Sequence, residues 1–192
     1  MTIPSNERKR KTIRLQDFDY RQPGFYIATI CVKDHRLMFG NIVNDKMQLN
    51  SVGQVALATW ATLAQRFPGI ELDAYIVMPN HVHGIIYLKE EQPILYKKPN
   101  TERVPERFKA YMQDAAKPYK RMPALWEIIR TFKAAATYRI HKTGTQEFAW
   151  QESYYESVLA DERSLNNRRL YIANNPARWA EDSLNTKEGS LP

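Results

Sequence analysis

Cysteine is nearly absent from this chain of 192 residues: Cys31 stands alone, so no internal disulfide can close and no Cys-x-x-Cys pair can build a thiolate zinc finger. A reducing, cytoplasmic setting is the expectation. No apolar run approaches the length of a membrane span, and the opening Met1-Thr2-Ile3-Pro4-Ser5 turns polar and basic without the apolar core of a secretory signal. Acidic residues are the minority, 21 against 28 lysines and arginines, for a formal charge of +7. That balance favours an anionic partner, nucleic acid before a membrane surface, because no basic amphipathic anchor helix is visible. What the chain does hold is 43% apolar residues and 11% aromatic ones. This is enough to bury a core without staples and excludes disorder of the whole.

No internal repeat is visible. Residues 1–24 form a basic arm carrying Arg8, Lys9, Arg10, Lys11 and Arg14. Phe25 to Val32 is β-branched and aromatic after a Pro23-Gly24 turn and predicts a strand, with a second strand near Met38 to Val43 pairing with it. From Ser51, the apolar positions Val52, Ala56, Trp60, Leu63 and Phe67 recur at helical spacing until Pro68-Gly69 closes the segment. Strands over Glu71–Met78 and His81–Leu88 follow, joined by the tight Pro79-Asn80 connection. Residues 89–123 hold five of the eleven prolines and read as an insertion. Ala124 to Lys142 resumes a helix, with Leu125, Ile128, Ile129, Phe132, Ala136 and Ile140 on one face and Arg130, Lys133 and Thr137 towards the other. Phe148-Ala149-Trp150-Gln151 suggests a short strand, Asp161 to Asn175 a last helix stopped by Pro176, and residues 181–192 a tail. Strand, helix, strand, strand implies an α+β domain over residues 25–180, with helices packed on an antiparallel sheet.

Side chains alternate along a strand, so His81 and His83 project from one face, close enough to share a cation. A His-x-His pair on a strand also arises by accident, and a third ligand has to come from elsewhere. On the last helix Tyr171 and Asn175 are four apart and share a face, with Arg168 one turn before the tyrosine; taken alone they read more simply as an ordinary half-buried aromatic and a helix end. Among the competing tyrosines, Tyr138 has Lys142 at that offset, and Tyr154 and Tyr155 have Val158 and Leu159. Of these four, only Tyr171 has an oxygen donor there. His141, three residues after Tyr138, is an alternative ligand, although His35 and His141 read more simply as surface or loop residues.

Four motifs in order resemble the single-tyrosine His-hydrophobe-His (HUH) transposases of insertion-sequence type, most closely the REP-associated tyrosine transposases. They are Pro23-Gly24-Phe25-Tyr26-Ile27-Ala28-Thr29-Ile30, Met78-Pro79-Asn80-His81-Val82-His83, Trp150-Gln151-Glu152-Ser153-Tyr154-Tyr155-Glu156 and Tyr171-Ile172-Ala173-Asn174-Asn175-Pro176, within a likeness spanning Arg14 to Trp179. The resemblance implies a ferredoxin-like single domain with the histidine pair on a central antiparallel strand and the nucleophile on a helix across it. It also implies His81, His83 and Asn175 as ligands of Mg2+ or Mn2+, Tyr171 as the nucleophile, and single-stranded DNA folded into a hairpin as the substrate.

Transesterification of a phosphodiester needs an oxygen nucleophile, a cation polarising a non-bridging oxygen and in-line departure of the 3′-oxygen. Its product, a 5′-phosphotyrosine, conserves the bond for rejoining and so suits strand transfer. The implied ligand set is neutral, which predicts weak cation binding until a DNA phosphate completes the shell. DNA would meet the arm, Arg130, Lys133, Arg168 and Arg169, with Tyr20, Trp150 and Tyr154 available to stack bases, although Trp150 reads as core. A scaffold that binds hairpins as a regulator without cutting, and a zinc hydrolase on the two histidines, remain as alternatives. A monomer is favoured over a homodimer.

Overall fold

The computed structural model describes residues 18–90 and 123–185. The basic arm with Arg8, Lys9, Arg10, Lys11 and Arg14, and nearly all of the insertion, lie outside the described residues. The strands are β1 (Gly24–Cys31), β2 (Gly40–Val43), β3 (Lys46–Leu49), β4 (Ile70–Val77), β5 (His81–Leu88) and β6 (Tyr155–Leu159); the helices are α1 (Ser51–Ala61), α2 (Leu63–Arg66), α3 (Leu125–Lys142) and α4 (Glu162–Asn174). Side chains start two of the helices. Asn50 accepts from the Gly53 N–H at 2.9 Å at the head of α1, and Asp161 from the Ser164 N–H at 2.6 Å at the head of α4.

The main sheet runs β4-β5-β1-β6 with every pair antiparallel. With α1 between β1 and β4 and α3 between β5 and β6, this is the βαββαβ ferredoxin-like order that the sequence implied. Three local expectations need correction. The strand near Met38–Val43 pairs with Lys46–Leu49 rather than with β1, because Asn44 and Asp45 adopt φ of 51° and 59° and turn the chain straight back, while both edges of β1 are already taken by β5 and β6. The helix from Ser51 breaks at Thr62, whose hydroxyl bonds the Thr59 carbonyl at 2.8 Å. The fourth strand of the sheet is Tyr155–Leu159, whereas Trp150 makes only an isolated bridge to Val32.

Alternation along β1 and β5 gives the sheet two unlike faces. Tyr26, Ala28, Ile30, Val82, Ile86 and Leu88 are buried in one core with Trp60 of α1 and Ile128 and Phe132 of α3. A Cβ at Gly84 would land on the Trp60 ring, so glycine is what lets α1 approach β5. The other face buries Ile27 and Ile85 against Leu165 and Ile172 of α4. Each such aliphatic side chain contributes roughly 1.5–3 kcal/mol, which seats α4 across the sheet. Its register is pinned further at the irregularity between Leu72 and Tyr75, where Arg169 donates from Nε and Nη2 to the two carboxylate oxygens of Asp73 at 2.8 and 2.6 Å. Arg169, expected at the DNA, is thus engaged within the fold.

Candidate functional site

His81 and His83 lie on the α4 face of β5, opposite Cys31 and Thr29 of β1 in the register, and both are buried. Their Nε2 atoms converge to 2.9 Å. Burial is the main reason both titrate low. His83 falls to about 4, with Asp182 opposing and Arg168 assisting, and His81 lies well below the usual imidazole range, with His83 and His35 adding to the effect of burial. Both rings are therefore neutral at pH 7, as ligands must be.

From the facing helix, the Tyr171 hydroxyl stands 3.3 Å from His83 Nε2. Asn175, the residue after α4, is buried, and its Oδ1 has no hydrogen-bond partner. Its Nδ2 is 3.4 Å from the Asp182 carboxylate. Asp182 is the residue that sequence reasoning missed: its carboxylate and the two imidazoles keep their ligand atoms within 4.8 Å of one another. It arrives through the 3-10 turn Pro176–Glu181 and lies inside the stretch read as a tail, of which residues 181–185 are described and 182, 184 and 185 are partly buried. The site thus carries a formal negative charge, unlike the neutral set implied by the resemblance. No local signal marks Asp182, since only the turn brings it back seven residues after Asn175.

The donors fit a divalent cation: two neutral imidazoles, an orphaned buried amide oxygen and a carboxylate. The two Nε2 atoms, 2.9 Å apart, are close enough to bind one ion together. Ligation through Nε2 requires the Nδ1–H tautomer of His83, and the Thr29 hydroxyl, 2.7 Å from Nδ1, can accept from that N–H. The Tyr171 phenol is raised above its ordinary value by burial and by Asp182, against the opposing pull of the Asn175 amide, Arg168 and Arg178.

The expected DNA contacts divide. Arg168 is exposed, with its guanidinium 5.9 Å from the centre of the Tyr171 ring, and Arg130 is exposed over Trp126 at 5.3 Å. Lys133 does not face outward. Its Nζ donates to the Gln151 and Glu152 carbonyls at 2.6 and 2.9 Å, and burial lowers its pKa. Trp150 packs against Phe39, Phe132 and Phe148 with its Nε1–H on the Lys133 carbonyl, so it belongs to the core. Tyr20 packs on Phe18 and Tyr26. Tyr138 and His141 sit on α3, across the sheet from the histidine pair, and the His141 ring donates to the Phe148 carbonyl at 2.9 Å.

Fold and site together define an α+β domain that brings two histidines, a tyrosine and a carboxylate together on one face of a four-stranded antiparallel sheet. A solved REP-associated tyrosine transposase, itself bound to a REP hairpin, superposes with a TM-score of 0.52 at 16% identity, over 86% of this chain and 73% of the other. A protein of Haemophilus influenzae described as uncharacterized is 36% identical over 176 residues, covering 91% of this chain and 92% of its own. The chain belongs to one family with that protein, and its fold is that of the REP-associated tyrosine transposases. No family model matches it. Among the described residues, no helix is long and apolar enough to cross a membrane.

Proposed function

We propose that this protein is a transposase-like endonuclease and strand transferase, dependent on Mg2+ or Mn2+, that cleaves single-stranded DNA near hairpins through a tyrosine adduct. The observation that carries the reading is the position of the Tyr171 hydroxyl, 3.3 Å from His83 Nε2 and thus beside the convergence point of the two imidazoles. His81, His83, Asn175 and Asp182 would hold the cation. When bound, it supplies positive charge that polarises the scissile phosphate and favours ionised over neutral phenol. The chain's own groups do the rest. Tyr171 Oη attacks phosphorus, its proton passing to solvent, as the bond to the 3′-oxygen breaks and that oxygen takes up a proton. The product is a 5′-phosphotyrosine and a free 3′-hydroxyl, and attack by a 3′-hydroxyl on the adduct reverses the step. Arg168, beside the Tyr171 ring, would meet a phosphate oxygen. All these groups come from one chain, which supports a monomeric site.

The test is a labelled hairpin oligonucleotide incubated with Mn2+ and resolved under denaturing conditions. Wild type should form a covalent protein–DNA adduct and Tyr171→Phe should form none. An adduct that persists in Tyr171→Phe overturns the nucleophile. Wild type that binds the hairpin without adduct or product would be the regulator instead, and product without adduct would be the zinc hydrolase.

A further inference from the structure

Asn80 is fully buried between the two strands that meet at the site, and no role in the reaction has so far fallen to it. Its Nδ2 lies 3.1 Å from the His35 carbonyl and 2.7 Å from the Leu184 carbonyl. Two carbonyl oxygens require a donor, so the amide orientation is settled: the reverse rotamer would press Oδ1 against both. Oδ1 then faces His81 Nδ1 at 2.8 Å and can only accept. His81 must therefore be the Nδ1–H tautomer, with the lone pair on Nε2, the atom that meets His83 Nε2.

The Leu184 contact reaches the other half of the site. Asp182 Oδ1 accepts from the Leu184 N–H at 2.8 Å, so the peptide tied down through its carbonyl by Asn80 is two residues beyond the carboxylate that faces the imidazoles. One amide thereby sets a ring nitrogen from the middle of the chain and a carboxylate from its last described turn towards the same point. We infer that Asn80 is the positioning residue of the cation site, fixing the ligating tautomer of His81 and strapping the Asp182 segment onto it. This rests on the metal reading above and adds to it a residue that touches neither cation nor DNA.

The test begins with wild type. Nitrogen-15 resonances of labelled histidine at pH 7, without added metal, should place the His81 proton on Nδ1. A proton on Nε2 overturns the inference whatever any variant does. Mn2+ titration in the absence of DNA should then show a dissociation constant at least about tenfold higher for Asn80→Ala than for wild type, in the range seen when groups orienting a ligand are removed. Amide exchange at Leu184 should quicken in the same variant. Equal Mn2+ affinity in a folded Asn80→Ala overturns the positioning role and leaves the metal reading intact, whereas wild type that takes up no Mn2+ overturns both.

Discussion

The two histidines make acid the most informative perturbation. In an unfolded chain an imidazole titrates near 6.5, whereas burial holds His83 at about 4. Between those values the unfolded chain binds more protons than the folded one, so stability rises with pH across the window and falls as acid is added. The folded-state pKa is depressed below the unfolded one, and the loss begins near 6.5 and is complete below about 4. From His83 alone it amounts to about 2 kcal/mol by pH 5 and about 3 kcal/mol below pH 4. Asp73 and Asp161 are held below the ordinary carboxylate value, the first chiefly by Arg169 and the second by the Ser164 N–H. Their contributions are therefore lost only at still lower pH. The assay is urea unfolding at pH 7 and pH 5 with a chelator present, comparing wild type with His83→Gln, whose amide does not titrate. Wild type should lose about 2 kcal/mol more than the variant between the two values. Equal losses would refute the claim that the pair is buried as neutral rings.

Two further predictions probe how the site is held. Gly84→Ala should destabilise by about 1–3 kcal/mol in denaturant unfolding, because the new methyl meets the fully buried Trp60 ring, and Trp60→Phe in the same chain should restore part of the loss. A change under about 0.5 kcal/mol would mean that the indole moves aside freely. Asp73→Asn should slow adduct formation a few-fold by loosening the seat of α4, and added salt should slow wild type towards the variant; an unchanged rate at low salt would show that this pair does not seat the helix.

The parts of the fold legible in the sequence are those in which burial follows a simple period. α3 carries Leu125, Ile128, Ile129, Phe132, Ala136 and Ile140 on one face, all now fully buried. The β4-β5 hairpin and its alternating histidines were legible for the same reason. β6 was not, because Glu156 is buried within it while Tyr155 and Ser157 are exposed, so polarity no longer reports which side faces in. The β2-β3 hairpin was hidden differently: Asn44-Asp45 does signal a turn, but partner choice depends on which edges other strands have occupied. Lys133 and Arg169 read as surface cations, since nothing nearby in sequence discloses a carbonyl pair or an aspartate 96 residues away. Asp182 is the extreme case, a candidate ligand placed wholly by the path of the chain after α4.

The division of the sheet into two faces explains how such a site can exist in so small a domain. Buried polar groups cost free energy unless each is hydrogen-bonded, and here His81, His83, Asn80 and Asn175 are all buried within one region. Three of the four are satisfied by one another, by Thr29 or by main-chain carbonyls. Asn175 Oδ1 is the exception. An unsatisfied buried acceptor costs about 1–3 kcal/mol, which a fold tolerates where a ligand recovers it. The apolar core under α1 and α3 supplies the stability that makes this tolerable. It also fixes the imidazoles on β5, a strand with neighbours on both sides, so their ligand atoms have little freedom. The tyrosine arrives instead on a helix held by a few aliphatic side chains and one ion pair. On the proposed reading, motion that admits a DNA strand belongs to α4 and carries Tyr171 and Asn175 with it, while the two imidazoles stay fixed on β5.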